Sequence, residues 1–258
     1  MNTGLHIALS AERLGTLFGI PITNTLVTAW IVIVFLISVA FLVGRRPTLV
    51  PGKVQSAFEM LFEFVLDYME KTLGTRALAE RFFPLIATIF LFILTANLLE
   101  FFPVFGSIGI TRGGEFVPLL RAATTDLNVT LSLAIIAFLT IEISGIAALG
   151  VLKYGSKFVS FKSGVMGFFV GLLEIIGNLA RLVSFSFRLF GNIFAGEVLI
   201  AVISSFLPYL LPVPLMLFET FVGLLQAAIF ALLTLVFIKL AIMEPHGEEA
   251  HGGEAHQS

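Results

Sequence analysis

The sequence contains no cysteine and little charge. The absence of cysteine excludes disulfides, thiolate metal sites and thiol catalysis. Charged residues make up 12% of the 258 residues, about half of the ~25% found in soluble domains. The net charge of −2 provides no basic surface for nucleic acid, and no phosphate-binding loop of the GxxxxGKS or GxxxxGKT type is present. We therefore expect no nucleic-acid partner, and any nucleotide chemistry must belong to another subunit.

Apolar residues, in contrast, make up 58% of the chain, and the mean hydropathy is +1.04. Two stretches of 18 residues, 26–43 and 82–99, carry no charge and are long enough to cross the ~30 Å hydrocarbon core as helices. A third apolar stretch, 127–152, begins after Asp126, a good helix N-cap residue, and ends before Lys153. These features predict an all-α integral membrane protein.

The charges between the spans predict the orientation of the chain. The loop after the first span contains no acid, and its basic residues are Arg45, Arg46 and Lys53. By the positive-inside rule this loop lies in the cytoplasm, which places the N-terminal segment 1–25 outside. Two further spans lead to a second basic segment, which contains Lys153, Lys157 and Lys162. Both basic segments then lie on the same side of the membrane, so the assignment is self-consistent.

The segment 54–73 has acids on one side and apolar residues on the other. The acids are Glu59, Glu63, Asp67 and Glu70, and the apolar residues are Phe58, Leu61, Phe62, Val65 and Met69. This spacing predicts an amphipathic helix that lies on the membrane surface or docks on a partner.

A long apolar region, 163–207, follows the second basic segment. As one α-helix it would be about 65 Å long at 1.5 Å per residue, about twice the length of an upright span. The region is either one strongly tilted helix or two upright helices with a turn near Gly191 or Gly196. We favour the tilted helix because the region 163–207 contains no proline, and the next proline is Pro208.

The final span, 215–242, carries Glu219 and Gln226 seven residues apart on one helix face. In the tilted arrangement, residues 163–242 form a helical hairpin, the chain crosses the membrane about five times, and the C-terminus is cytoplasmic. The upright alternative gives six crossings. The composition of 243–258, rich in Gly, Glu and His, predicts a mobile tail, and its five-residue histidine spacing does not favour a metal site.

Arg188 lies within the apolar sequence SFRLFGNIFAGE, where an ionised side chain costs at least ~2.5 to 3.5 kcal/mol to insert. Polar residues recur on the same helix face at four- and seven-residue spacings; the set is Glu174, Asn178, Arg181, Arg188 and Asn192. Such a polar seam must face protein or a water-filled cavity, because lipid cannot pair or solvate it. The pattern indicates a protein that moves a small ion.

Four segments of the sequence occur together in one known family. They are PGKVQSAFE at 51–59, TDLNVTLSLA at 125–134, RLFGNIFAGE at 188–197 and LLQAAIFALLTLVF at 224–237. In this order and at this spacing, they resemble subunit a of the F-type ATP synthase from about residue 20 to 242. The resemblance implies a membrane stator with two half-channels beside a rotating ring of c subunits. It also implies contact with the peripheral stalk subunit b and the remainder of the complex.

The resemblance implies roles for several residues of the long helix. Arg188 matches the family's essential arginine, and Asn192 matches the polar residue one helical turn after it. Glu174, with Asn178 one turn later, is expected in the cytoplasmic half-channel.

Glu197, Glu219 and Gln226 match residues of the outer half-channel. Family members place a histidine at or near one of the two glutamate positions, whereas this chain has glutamate at both. Two nearby carboxylates can share a proton with their apparent pKa values split, so this departure leaves the order of protonation open.

The resemblance implies a proton-translocating subunit without a catalytic site, cofactor or metal of its own. Its expected location is the lipid bilayer of the bacterial inner (plasma) membrane, which it crosses several times. A secondary ion transporter and a structural membrane anchor are the alternatives. The absence of an internal repeat argues against the first, and the polar seam argues against the second.

Two further charged residues have open roles. Glu142 lies inside the third span and is either a channel residue or an internal hydrogen-bond anchor. Arg181 is an internal clamp, a contact for lipid headgroups or part of the transport path.

The predicted orientation can be tested by cysteine labelling, since the natural chain has no cysteine. Single cysteines at Thr3 and Ser258 should react with a membrane-impermeant maleimide from opposite faces of oriented vesicles, because five crossings separate them. Labelling from the same face would support the arrangement with six crossings.

Overall fold

The structure is a computed structural model that describes residues 11–17, 19–45, 52–100, 108–112, 115–155, 164–207 and 210–243. Within these residues, five helices are long and apolar enough to cross a membrane. The predicted all-α membrane fold with about five spans is therefore confirmed. The predicted tail beyond Met243 and the basic residues Arg46, Lys157 and Lys162 lie outside the described residues.

The chain order is β1 (Arg13–Leu17), β2 (Ile20–Thr23), α1 (Asn24–Gly44), α2 (Lys53–Leu73), α3 (Arg76–Leu99), β3 (Gly109–Arg112), β4 (Glu115–Pro118), a 3₁₀ turn (Ala123–Thr125), α4 (Leu127–Leu149), α5 (Val151–Gly155), α6 (Gly164–Phe206) and α7 (Pro212–Ile242). Strands β1 and β2 form one antiparallel hairpin, and β3 and β4 form another. Neither hairpin was predicted, because strands of four or five residues are too short to show a clear alternation of apolar and polar residues.

Two spanning helices differ in length from the apolar stretches in the sequence. Helix α3 begins six residues before position 82, because Thr75 caps it by accepting a hydrogen bond from Leu78 N (3.4 Å). Arg76, in its first turn, pairs with Glu63 of α2 at 2.9 Å. Helix α4 ends at Leu149 because Gly150 adopts the left-handed region, with φ at +81°. The apolar stretches of the sequence therefore do not by themselves mark where the spanning helices begin and end.

Helix α6 is continuous over its 43 residues. No turn interrupts it at Gly191 or Gly196. The structure therefore has the single long helix and not the alternative of two upright helices. The chain then returns through α7, which has 31 residues. At 1.5 Å per residue, α6 is about 65 Å long, longer than an upright crossing requires.

The helices pack around two main apolar clusters. In the first, Met69 and Leu73 of α2 contact α3 and α7, where Leu235 and Ile238 are buried. The C-terminal part of the predicted amphipathic helix therefore docks on the bundle, whereas Leu61 and Phe62 on its apolar side are exposed. The second cluster joins α3, α4, α6 and α7 and contains Ile89, Ile93, Ala134, Ala137, Phe185, Leu189, Ala227 and Phe230. Small alanines at these contacts let the helices approach closely.

Candidate functional site

Arg188 lies half-buried at the contact between α6 and α7. Its Nη2 donates a hydrogen bond to Ser184 Oγ at 3.3 Å, one turn earlier on the same helix. Beside it is an open cavity of about 270 Å³, whose lining includes Arg181, Ser184 and Arg188 of α6 and Phe237 of α7. The site therefore presents two cations and a hydroxyl against an apolar wall. This lining suits a carboxylate that approaches from outside the chain.

Arg181 occupies the other end of this cavity. Its guanidinium lies 4.1 Å from the centroid of the Phe237 ring, a distance at which a cation is attracted to the aromatic face. Arg181 therefore fixes α6 against α7, as an internal clamp would. The seven-residue spacing places it about 10 Å from Arg188 along the helix axis.

Glu219 of α7 meets α6 at Gly196. Glu219 is buried, with 6% of its surface exposed, and a Cβ atom at Gly196 would collide with its carboxylate. Only glycine therefore admits the acid in this position. The Oε1 atom of Glu219 is buried and has no hydrogen-bond partner among the described residues.

Glu197, the next residue on α6, forms an ion pair with Arg121. Arg121 Nη2 lies 2.9 Å from Glu197 Oε2, and 8% of the Arg121 side chain is exposed. Arg121 precedes the 3₁₀ turn, in the segment between the second and third predicted spans. Arg121 and Glu197 are 76 residues apart in the chain, and the fold brings them into contact.

Glu100 completes a group of charged residues around Glu197 and Glu219. It directly follows α3, and its Oε2 atom is buried without a hydrogen-bond partner among the described residues. Its pKa is raised to about 8, chiefly by burial, with further contributions from the negative charges of Glu197 and Glu219; Arg121 acts in the opposite direction. A pKa near neutrality suits a group that takes up and releases protons.

A hydrogen-bonded link fixes α7 beside this group. Asn97 Nδ2 donates to Gly223 O at 3.0 Å, and Thr124 Oγ1 donates to Asn97 Oδ1 at 2.8 Å. Gln226, one turn after Gly223, is buried. The 3₁₀ turn, α3 and α7 are thereby held together where Gln226 and Glu219 face the bundle interior.

The remaining predicted residues lie on α6, away from the acidic group. Glu174 and Asn192 are exposed, whereas Asn178 is buried. Along the helix axis, Glu174 lies about 21 Å before Arg188 and Glu197 about 14 Å after it. The structure thus brings Glu197 and Glu219 together and separates them from Glu174 and Asn178, with Arg188 between.

Sequence reasoning missed Glu100 and Arg121 as members of this group. Each is a charged residue at the end of an apolar segment, where charges commonly mark the membrane surface. Their neighbours Glu197 and Glu219 are about 75 to 120 residues later in the chain. Glu100, in the segment EFFP, has no basic residue next to it in the sequence, which is a weak signal. No local pattern relates Glu100 to Glu197 or Glu219.

Comparison with known proteins identifies related chains. Residues 26–239 match the family model described as ATP synthase A chain. The ATP synthase subunit a of Moorella thermoacetica is 34% identical over 219 residues, covering 85% of this chain and 90% of that protein. The sodium ion specific ATP synthase subunit a of Propionigenium modestum is 35% identical over 242 residues, covering 90% and 78% respectively. That of Campylobacter jejuni (strain 81116) is 35% identical over 209 residues, covering 81% and 85%.

The raised pKa of Glu100 predicts a pH dependence of stability. The folded chain holds this proton up to about pH 8, whereas the unfolded chain releases it near the ordinary value for glutamate. The free energy of unfolding should therefore fall as pH rises between these two values. Glu100→Gln, which stays neutral, should lose less stability over this range, measured as the thermal unfolding midpoint in detergent between about pH 5 and pH 8.

Glu59→Gln provides the control, because Glu59 is an exposed acid on α2. This variant should follow the pH dependence of the natural chain. If Glu100→Gln does so as well, Glu100 titrates like an exposed acid and does not belong to the buried group.

Proposed function

The chain belongs to the ATP synthase A chain family, and from this premise we propose that it forms the stationary proton path of an F-type ATP synthase. In this role it has no catalytic site of its own; it provides two offset half-channels beside a ring of c subunits. Subunit b of the peripheral stalk and the remainder of the complex hold it in place. Family membership sets aside the transporter and anchor alternatives.

One observation carries the proposal. Within the part of the chain that the structure describes, Arg188 has no carboxylate partner: its hydrogen bond goes to the neutral Ser184. A cation in an apolar setting without an internal counter-charge needs one from elsewhere. A carboxylate on each rotor subunit would supply it in turn, at the open cavity beside Arg188.

The electrostatic switch follows from Coulomb's law. At ~4 Å and an effective dielectric of about 20, Arg188 would favour the ionised rotor carboxylate by about 4 kcal/mol, which lowers its pKa by about 3. Away from Arg188, the same carboxylate faces lipid and must be neutral. Each passage across Arg188 therefore removes a proton from one side and requires a new one from the other. Arginine suits this position because it stays charged, whereas a buried lysine can lose its proton.

The outer half-channel consists of the acidic group and the residues around it. Glu197 and Glu219 exchange protons there, Gln226 lines the path on α7, and Glu100 is a further acid that the fold brings to the same place. The pKa of Glu100, raised to about 8 by burial, matches the relay of protons at neutral pH. Arg121 contributes a positive charge to this group through its ion pair with Glu197.

The cytoplasmic half-channel begins at the other end of α6. Glu174 is exposed there, and Asn178 is buried one turn closer to Arg188. Asn192, one turn beyond Arg188, is exposed on the side available to the rotor. Because Arg188 lies between the two groups, a proton must travel on the rotor to pass from one half-channel to the other.

Arg188→Ala tests the proposal. In reconstituted vesicles the variant should lose proton-driven ATP synthesis and ATP-driven pumping to near zero, while the complex still assembles and its passive proton conductance rises. The driving force for this leak is about 2.3 kcal/mol per elementary charge at 100 mV. Arg188→Lys should also lose coupling, because lysine lacks the planar guanidinium and the permanent charge.

The same vesicles identify the transported ion. We expect ATP-driven pumping to acidify the lumen without added sodium. If pumping requires sodium, the transported ion is sodium and not the proton. Sodium is the ion named for the Propionigenium modestum relative. Coupled pumping in Arg188→Ala would contradict the proposed mechanism.

A second prediction concerns the contact between Gly196 and Glu219. Gly196→Ala should displace the Glu219 carboxylate, since the new Cβ would occupy its position. We expect at least a ~10-fold loss of ATP-driven pumping, less than the ~100-fold that removing a positioned acid or base typically costs, because the carboxylate is displaced and not removed. Assembly should persist, because a flexible side chain can move aside.

Gly44→Ala is the matched control, because nothing lies within 4 Å of where its Cβ would be. This variant should pump at the natural rate. If Gly196→Ala does the same, the position of Glu219 is not critical for proton transfer.

A further inference from the structure

Glu142 of α4 is paired with Tyr154 of α5. Tyr154 Oη donates a hydrogen bond to Glu142 Oε2 at 3.0 Å, and the tyrosine is buried, with 6% of its surface exposed. Gly150 allows the reversal between the two helices through its positive φ of +81°. Gly145 provides room for the ring, since a Cβ there would collide with Tyr154. Two glycines thus permit one specific pairing.

The second carboxylate oxygen of Glu142 has no such partner. Oε1 is buried and forms no hydrogen bond with the described residues. Leaving a buried polar atom unpaired is unfavourable, so such an atom normally binds a water molecule or a proton. The proton acceptor of this pair is therefore Oε1, and the tyrosine occupies the other oxygen.

The pair lies beside the cytoplasmic part of α6. Helices α4 and α6 run antiparallel, because the Thr130 and Ser186 hydroxyls are 3.2 Å apart near the start of α4, whereas Tyr154, after the end of α4, lies near Glu174 and Arg181 in the earlier part of α6. Twelve residues later on α4, Glu142 is therefore level with the earlier part of α6, which carries Glu174 and Arg181. The charges of both residues act on the Tyr154 hydroxyl, which agrees with this placement.

An anchor between α4 and α5 would not require this chemistry. A glutamine could accept the same hydrogen bond from Tyr154 without placing an ionisable group in an apolar span, where a charge is costly. A carboxyl group differs from that amide in one relevant respect, because it can bind and release a proton. The choice of acid at this position therefore favours proton exchange over anchoring.

We propose that Glu142 exchanges protons in the cytoplasmic half-channel and that Tyr154 is its positioning residue. The inference rests on the proposed function of the chain and adds a residue of a second helix, α4, to Glu174 and Asn178 of α6.

The proposed step moves one proton and changes no other bond. A proton released by the rotor carboxylate at Arg188 reaches Oε1 of Glu142 through water, as hydronium, and the same proton then leaves Oε1 through water toward Glu174. Tyr154 keeps its own proton throughout, because burial and the adjacent Glu142 carboxylate raise the pKa of its hydroxyl. The hydroxyl thus holds Oε2 in every cycle, and the carboxyl group returns to its initial state.

Other charged groups surround this step. Arg181 and Glu174 contribute from α6, and Lys153 lies next to Tyr154 on α5. Helix α7 also packs against α4, and its charged residue nearest this end is Lys239. The rate of proton transfer should therefore depend on pH through Glu142 together with these neighbours.

The experiment compares three variants in reconstituted complexes with the natural chain. Glu142→Gln retains an acceptor for Tyr154 but cannot carry a proton, so ATP-driven pumping should fall at least ~10-fold. Glu142→Asp should recover part of this loss. Tyr154→Phe keeps the acid but removes its positioning bond, so pumping should persist with its rate-versus-pH curve displaced. Glu59→Gln, an exposed acid on α2, is the matched control and should pump at the natural rate.

Natural pumping rates in Glu142→Gln would overturn the inference and leave the pair as an anchor. If the purified complex lacks the Glu142→Gln subunit, Tyr154→Phe provides the test. An unchanged rate-versus-pH curve in Tyr154→Phe also overturns the inference, and a displaced curve supports it. Arg188→Ala, measured in parallel, separates this inference from the proposed function. Coupled pumping in Arg188→Ala would contradict both, whereas an uncoupled Arg188→Ala beside a fully active Glu142→Gln would contradict the present inference alone.

Discussion

The high cost of an ionised side chain in hydrocarbon determines where this chain places its polar residues. Lipid can neither pair nor solvate a charge, so charged groups within the spans must lie against protein, beside a cavity or near a helix end. Glu219 accordingly faces α6 at Gly196, and Arg188 lies beside an open cavity. The lipid-facing surfaces are left to apolar side chains; Leu42, Ile37 and Val34 of α1 are examples of exposed apolar residues.

The length of α6 gives these polar residues their order. Glu174 and Glu197 are separated by about 35 Å along the helix axis, and Arg188 lies between them. A short helix could not carry two acids at this separation with a cation between them. The continuous 43-residue helix therefore suits the proposed path, which a fixed positive charge interrupts at one point.

Close helix contacts bring residues from distant parts of the chain to these groups. Gly196 admits Glu219, and Gly145 admits the ring of Tyr154. Gly223 receives Asn97 in the same way, through a hydrogen bond to its carbonyl oxygen. At each contact the missing side chain leaves space for a polar group of another helix, which then lies inside the bundle.

The sequence by itself determined the membrane class, the number of long apolar helices and the unusual position of Arg188. These depend on local properties, namely apolar length, helical periodicity and the cost of a charge in lipid. The neighbours of each charge were decided only by the tertiary structure. Glu100 and Arg121 gave little signal as loop residues, yet the fold places them with Glu197 and Glu219. The contact between Glu142 and Tyr154 was likewise not evident from the sequence. Such contacts join residues that are far apart in the chain, and the periodicity of a single helix cannot specify which face of another helix it will meet.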